Sequence, residues 1–269
     1  MSPRRLGGAW QWVGPLCALM SALGWTLPAV AGSPSESHVA RPGLFFAWLV
    51  PQGDPVVVRF DDPALLRQLV QHCNAGKSVV ALQTGIRYPC TAEAFKTPTG
   101  DTDAQTAGIT VLAPARQSDR WEHALFSLAP PATPRWDVRP LKPDARTALQ
   151  AYLQAQPQRF AWLQPTLQWS AAVAVRQPGA EAARETLVVP GRTVRKPEVF
   201  YQAQRHHVFV RDQGTHAYLG EVPGTPGSYV DVDGSDLPGL VVSEGCDGWC
   251  ISLWSLRGGL RPIGRFGGH

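Results

Sequence analysis

The sequence predicts an α+β fold, with two or three helices in a mixed N-terminal part and a C-terminal portion that is all β and rich in hairpins. Three observations carry this expectation. Two segments have helical periodicity behind start signals, Asp62-Pro63 for the first and Pro143-Asp144 for the second. Short apolar runs of strand length surround them, and from about Val208 onward strands and turns alternate with hardly any helix signal. The order of elements is not a regular βαβ repeat, which argues against a parallel α/β sheet.

Gly32 to Pro42 is rich in Ser and Pro and reads as a disordered leader. Leu44 to Val50 and Val56 to Phe60 are continuous apolar runs, expected as strands buried on both faces. Asp62 then caps a helix with Pro63 in its first turn. Leu65, Leu66, Leu69 and Val70 form its apolar face, and Asn74-Ala75-Gly76 ends it. Ser78 to Gln83 returns as a strand. Thr91 to Gly108 is polar, contains Pro98 and Gly100, and reads as a long exposed loop.

Strands resume at Ile109 to Leu112, Ala124 to Leu128 and Trp136 to Leu141, separated by prolines. The second helix runs from Ala145 to Gln154 with Ala148, Leu149, Tyr152 and Leu153 on one face, and a short third helical turn falls within Pro157 to Leu163. Trp169 to Val175 and Glu185 to Val189 read as a strand pair across Gln177-Pro178-Gly179. A boundary near Arg192 to Pro197 would separate residues 43–195 from residues 196–269. One continuous domain is the alternative.

The first residues include Arg4 and Arg5, an apolar stretch runs from about Trp10 to Leu27, and Ala29-Val30-Ala31 follows. This is the order of a secretory signal peptide over residues 1–31, cut after Ala31. The chain is then expected in the periplasm or outside the cell. Of 25 basic residues two leave with the signal, so 23 face 21 acidic ones and no long Lys/Arg run remains. Nucleic acid is therefore not an expected partner. No later apolar segment has the length of a transmembrane helix.

Cys73, Cys90, Cys246 and Cys250 remain after cleavage. An even count in an oxidising compartment favours two disulfides, with the local pairing Cys73 to Cys90 and Cys246 to Cys250 preferred. Leu240 to Ser243 and Cys250 to Trp254 read as strands around Asp247-Gly248. A tight hairpin with Asp247, Gly248 and Trp249 in its loop would set Cys246 opposite Cys250, within disulfide reach. Zinc is a weaker reading, because no C-x2-C pair or neighbouring His pair is present.

Asp231-Val-Asp-Gly-Ser-Asp236, followed by Leu240-Val-Val, resembles the calcium loop of FG-GAP/VCBS repeats, the integrin-type propeller repeats. Asp231 and Asp233 match the first two carboxylate positions and Gly234 the turn. The resemblance implies a calcium site on Asp231, Asp233, Ser235 and a backbone carbonyl at Leu237. Ser235 stands where a third Asp is expected and Asp236 where a second Gly belongs, and the repeat occurs once. The other reading is a structural turn in which Asp231 and Asp233 bond the backbone, with no cofactor. The wider segment from Asp231 through Ser243-Glu-Gly-Cys-Asp-Gly-Trp-Cys-Ile-Ser-Leu-Trp254 resembles the C-terminal segment of a family of exported proteobacterial proteins. That likeness implies an envelope location and names no activity.

Gly76-Lys77-Ser78 has the ending of a phosphate-binding loop, but Gln71 occupies its first glycine position and a helix precedes it. No G-x-S-x-G, H-E-x-x-H or S-x-x-K signature is present in the mature chain. Arg205-His206-His207 is the densest histidine cluster. Adjacent strand residues point to opposite faces, so the two histidines are not expected to share a metal, and a surface position is expected for them. Trp48 and Trp254, inside apolar strands, are expected in the core. Trp249 beside Asp247 and Gly248 is the expected exposed aromatic and candidate binding surface for a peptide, a glycan or an envelope protein. Two functional readings follow: a non-catalytic binding or scaffolding module, and an envelope hydrolase with a dispersed site drawn from His206, His207, Asp212, Ser243 and Glu244.

Overall fold

The computed structural model describes residues 35–51, 56–60, 62–96, 105–113, 122–130, 135–179, 184–192, 204–245 and 249–268. The expected signal segment, Trp121, Cys246, Asp247 and Gly248 lie outside them. As the sequence predicts, the fold is α+β with a β-rich C-terminal part.

Strand β1 (Ser35–Val39) corrects the reading of residues 32–42 as a disordered leader. It is polar and lacks apolar alternation, so nothing local announces it. Its support is lateral, since it lies antiparallel to the last strand and parallel to β3. Buried Ser37 adds to this by accepting a hydrogen bond from the Phe46 N–H at 2.9 Å.

Strands β2 (Leu44–Pro51) and β3 (Val56–Phe60) stand where their apolar runs predict, and Asp62 caps helix α1 (Pro63–Asn74), accepting from the Ala64 and Leu65 N–H groups. Strands β4 (Ser78–Ala81), β5 (Arg87–Lys96), β6 (Gln105–Ala113) and β7 (Glu122–Ser127) follow. The long loop expected over Thr91 to Gly108 is corrected here, because both of its flanks are strand. Residues Cys90 to Lys96 pair in register with Gln105 to Val111. Small and polar residues conceal this ladder from a search for apolar alternation. Since β5 bonds both β4 and β6, the series β6, β2, β7, β4, β5 closes on itself as a small barrel. Among the described pairs, β1 with β3 and β2 with β6 are parallel and the others antiparallel.

Phe45, Phe46, Leu69, Leu125 and Phe126 fill this region and are fully buried. The Phe45 and Phe126 rings stack at 5.6 Å, with Phe60 edge-on to Phe45 at 6.1 Å. Helix α1 lays Leu65, Leu66, Leu69 and Cys73 on the same core. A disulfide from Cys73 to Cys90 then fastens its last turn to β5 across 17 residues, as expected.

A second, five-stranded sheet is inserted between β7 and the C-terminal strands. It is built from β8 (Asp137–Pro140), β9 (Val173–Arg176), β10 (Arg184–Pro190), β11 (His206–Asp212) and β12 (Thr215–Val222), in the order β12, β11, β10, β9, β8. Helices α2 (Pro143–Gln154) and α3 (Pro157–Phe160) fall between β8 and β9. Trp169 to Val175, expected as one strand, is a 3-10 turn at Trp169–Ala171 before β9 begins. The suggested boundary near Arg192 to Pro197 falls between β10 and β11, which pair over seven residues. All the described strands belong to one compact unit, Ser33–His269.

Strands β13 (Gly224–Val230), β14 (Gly239–Glu244), β15 (Trp249–Ser255) and β16 (Arg261–Gly268) return the chain to the first sheet through β1. One face of the inserted sheet carries the helices on a core of Leu149, Leu153, Phe160, Leu163, Leu187 and Phe209. The other face sets Val208 and Val222 against Leu240 and Val242 of β14.

Candidate binding site

Cross-strand pairing places His207 between Val189 on β10 and Glu221 on β12, on the helix-covered face of the inserted sheet. Both neighbouring histidines are buried, His206 at 6% and His207 at 3% exposure, which corrects the expected surface position. The cause is topological, since β11 is an inner strand covered on both faces. His206 points to the opposite face, where it hydrogen-bonds the Gln204 carbonyl through Nδ1 at 3.3 Å and also engages the Gly224 backbone.

Around His207 the contacts are close. Its Nδ1 shares a hydrogen bond with the Tyr218 hydroxyl at 3.2 Å. A Cβ on Gly191 would come to 2.9 Å from His207 Nε2 and 3.3 Å from the Arg205 carbonyl, so only glycine fits there without displacement. The Gly191 carbonyl accepts from Gln204 Nε2 at 3.0 Å and from Gln168 Nε2 at 3.2 Å, and its N–H donates to the Arg205 carbonyl at 2.7 Å. Burial pushes the His207 imidazole down to about 4, helped by the charges of His206 and Arg205. The ring is therefore neutral at physiological pH. Glu221 Oε2 lies 3.9 Å from Nδ1 but makes no ion pair with the neutral ring, and Glu221 Oε1 is bound by the Arg205 guanidinium. Burial also raises the Tyr218 hydroxyl above the ordinary tyrosine range.

Trp162 stands over this cluster. Its indole is edge-on to His207 with centroids 6.1 Å apart, and its Nε1–H donates to the Arg159 carbonyl at 2.9 Å. That bond fixes the ring while leaving it 56% exposed. Among the described residues, Trp162 and Val138 are the large hydrophobic side chains that stand exposed. An open aromatic face on a packed base offers flat apolar contact, and the Arg205–Glu221 pair beside His207 supplies polar groups in the same cluster.

The other residues singled out from the sequence are dispersed. Asp212 lies at the far end of β11 from His206 and pairs with Arg184 at 3.0 Å. Ser243 is exposed on β14, and Glu244 accepts from the Ser252 hydroxyl, which itself accepts from Trp254 Nε1–H at 2.7 Å. His206 and Glu244 have Gly224 as a common neighbour, because Gly224 is the ladder partner of Glu244. These residues span both sheets, and His206 and His207 are divided between the two faces of β11.

In the acidic loop, Asp231 Oδ1 accepts from the Gly234 N–H at 2.7 Å and Asp233 Oδ1 from the Ser235 N–H at 3.2 Å. Asp233 Oδ2 meets Arg41 at 3.4 Å, and the Ser235 hydroxyl donates to the Leu237 carbonyl at 3.0 Å. The oxygens that a calcium loop would turn toward an ion are thus engaged by N–H, O–H and guanidinium donors. Among the described residues no group of three or more His, Cys, Asp or Glu is placed to hold a metal.

Cys250 is disulfide-bonded, and its ladder partner is Glu244, two residues before the Cys246 that the expected hairpin sets opposite it. Trp249 opens β15 as the partner of Gly268, so it belongs to the strand and not to the hairpin loop. Its side chain lies outside the described ones. Sequence reasoning passed over Trp162, Tyr218 and Gly191. Trp162 falls where helical periodicity breaks down after Phe160, which is the signal that could have marked it as unburied. Compared with known proteins, the chain matches no family model, no curated protein and no solved structure.

Proposed function

We propose that this chain is an exported protein of the cell envelope that works as a binding module, holding a glycan on the Trp162 platform. The observation that carries the reading is a Trp side chain 56% exposed yet locked by its own N–H bond and backed by the buried His207. An aromatic already held in place by a hydrogen bond has less freedom to lose when it stacks on a sugar ring, which lowers the entropic cost of binding. The signal-like N-terminal sequence supports export, and so does the Cys73–Cys90 bridge, since disulfides persist in oxidising compartments. No helix among the described residues is long and apolar enough to cross a membrane.

A hydrolase drawing on His207 finds less support, because that ring is buried, neutral and occupied by Tyr218. The test is calorimetric titration of the purified mature chain with soluble envelope glycans and, in parallel, with peptides. Saturable glycan binding that weakens about ten-fold or more in Trp162→Ala is expected. Binding indifferent to that substitution, or binding of peptides alone, would overturn the reading.

A further inference from the structure

At the other end of the face that carries His207, the inserted sheet presents charge in ordered rows. Asp137 on β8 pairs with Arg176 on β9, and Glu185 on β10 pairs with Arg211 on β11. Beside these rows, where the start of α2 meets the ends of the strands, is a cavity of about 120 Å³. Its charged lining is Arg139, Lys142, Arg176 and Arg211 against Asp144 and Glu185.

We infer that this cavity is a binding site for a tetrahedral oxyanion of the phosphate or sulfate class. The argument is one of donors left over. Glu185 is matched by Arg211, whose Nη2 donates to it at 2.7 Å. Arg139 and Arg176 share a single carboxylate: Asp137 accepts from Arg139 Nε at 3.0 Å and from Arg176 Nε at 3.1 Å. Two guanidiniums with ten N–H groups between them outnumber the acceptor sites of one carboxylate, which leaves donors open to water or to a ligand. Lys142 adds an exposed ammonium at the mouth.

The start of α2 contributes in the same sense. Its N-cap position is Lys142, whose side chain makes no capping bond, and Pro143 occupies the first turn. The positive end of the helix is therefore turned toward the cavity with no side-chain acceptor from its own cap. Arg211 and Glu185 form a packed floor, with side chains 24% and 11% exposed, while Arg139, paired with Asp137 at 2.8 Å, is 56% exposed at the rim. Asp144 is the one lining carboxylate with no cation committed to it among the contacts described. It opposes an anion and would favour a cation.

That opposition makes the test two-sided. Thermal melting and calorimetry would be run on the mature chain with inorganic phosphate, sulfate, acetate and chloride at matched ionic strength. Phosphate or sulfate is expected to raise the melting temperature where chloride does not, and acetate to act weakly. Lys142→Ala is expected to weaken phosphate about five-fold and Asp144→Asn to tighten it by a similar factor, as removal or creation of one net charge at contact distance implies. Lys142 and Asp144 are exposed, so both variants retain the fold. Equal effects of phosphate and chloride, or Asp144→Asn weakening the site, would overturn the inference. Binding at this cavity does not rest on the Trp162 platform, and Trp162→Ala should leave it unchanged.

Discussion

Arg41 and Asp233, 192 positions apart in sequence, meet through Nη2 and Oδ2 at 3.4 Å. The contact ties the turn between β1 and β2 to the acidic loop between β13 and β14. Asp233 is only 6% exposed, and Arg257 approaches the same oxygen at 4.0 Å. A carboxylate so enclosed acts as a fastening between distant strands of one sheet.

Asp233→Asn should therefore lower stability by about 2 kcal/mol, the scale of a lost hydrogen bond to a charged group. Denaturant unfolding of the mature chain measures it. With the loop oxygens engaged as they are, chelator-treated protein should melt at the same temperature with and without millimolar calcium. A calcium-dependent rise abolished by Asp231→Asn would instead show that the loop reorganises around the ion.

Gly191→Ala tests the packing beneath Trp162. The added methyl would meet His207 Nε2 at 2.9 Å, against a ring held by Tyr218 on its other side. Overpacking of this kind costs about 1–3 kcal/mol. Because Trp162 rests edge-on against the same ring, its fluorescence should change as well. Gly76→Ala is a suitable contrast, since nothing lies within 4 Å of its Cβ and its left-handed φ of 70° makes the cost one of backbone strain alone. Stability loss without any fluorescence change in Gly191→Ala would separate Trp162 from His207.

What the sequence made legible was whatever is decided locally. Asp62, Pro63 and the Leu65, Leu66, Leu69 spacing specify α1 within its own twelve residues, and the apolar runs at Leu44 and Val56 specify strands. Strand β1 and the β5–β6 ladder escaped because partners far along the chain stabilise them; β1 depends on β16, more than 200 residues away. The insertion of β8 to β12 is likewise a fact of pairing, invisible in composition. At the site, the sequence marks Trp249, beside turn residues, as an exposed aromatic, and that side chain lies outside the described ones; no such turn signal marks Trp162. Trp162 is exposed because a short helix ends before it, and its neighbour His207 is buried because β11 became an inner strand.

The Cys73–Cys90 bridge closes a loop of 17 residues. In the chain-entropy account a loop of this size is worth about 3 kcal/mol, felt mainly as a restriction of the unfolded chain. A Cys73→Ala, Cys90→Ala double variant should unfold at correspondingly lower denaturant with its α1 packing retained, since Leu65, Leu66 and Leu69 still bury on the barrel. Hydrogen exchange would localise the loss: faster exchange in α1 and β4 is expected, and protection unchanged there would mean that the bridge holds nothing that packing does not.

Acid should weaken the fold through its buried histidines. The His207 imidazole sits at about 4 in the folded chain against 6.5 when unfolded, so between those values the unfolded state takes up a proton that the folded state refuses. Its contribution is intact above pH 6.5 and is lost as pH falls toward 4. Over the interval from pH 7 to pH 5 that single group removes about 2 kcal/mol. His206 and His216 are also shifted down by burial, and their contributions have the same sign. The facing groups do not reverse it, because Glu221 is held by Arg205 and His216 lies beside Arg211. Denaturant midpoints at pH 7, 6 and 5 should therefore fall for the wild type and fall less for His207→Gln, which keeps a polar group beside Tyr218 and cannot charge. If both proteins show the same slope, His207 titrates normally and its neighbourhood is open to water.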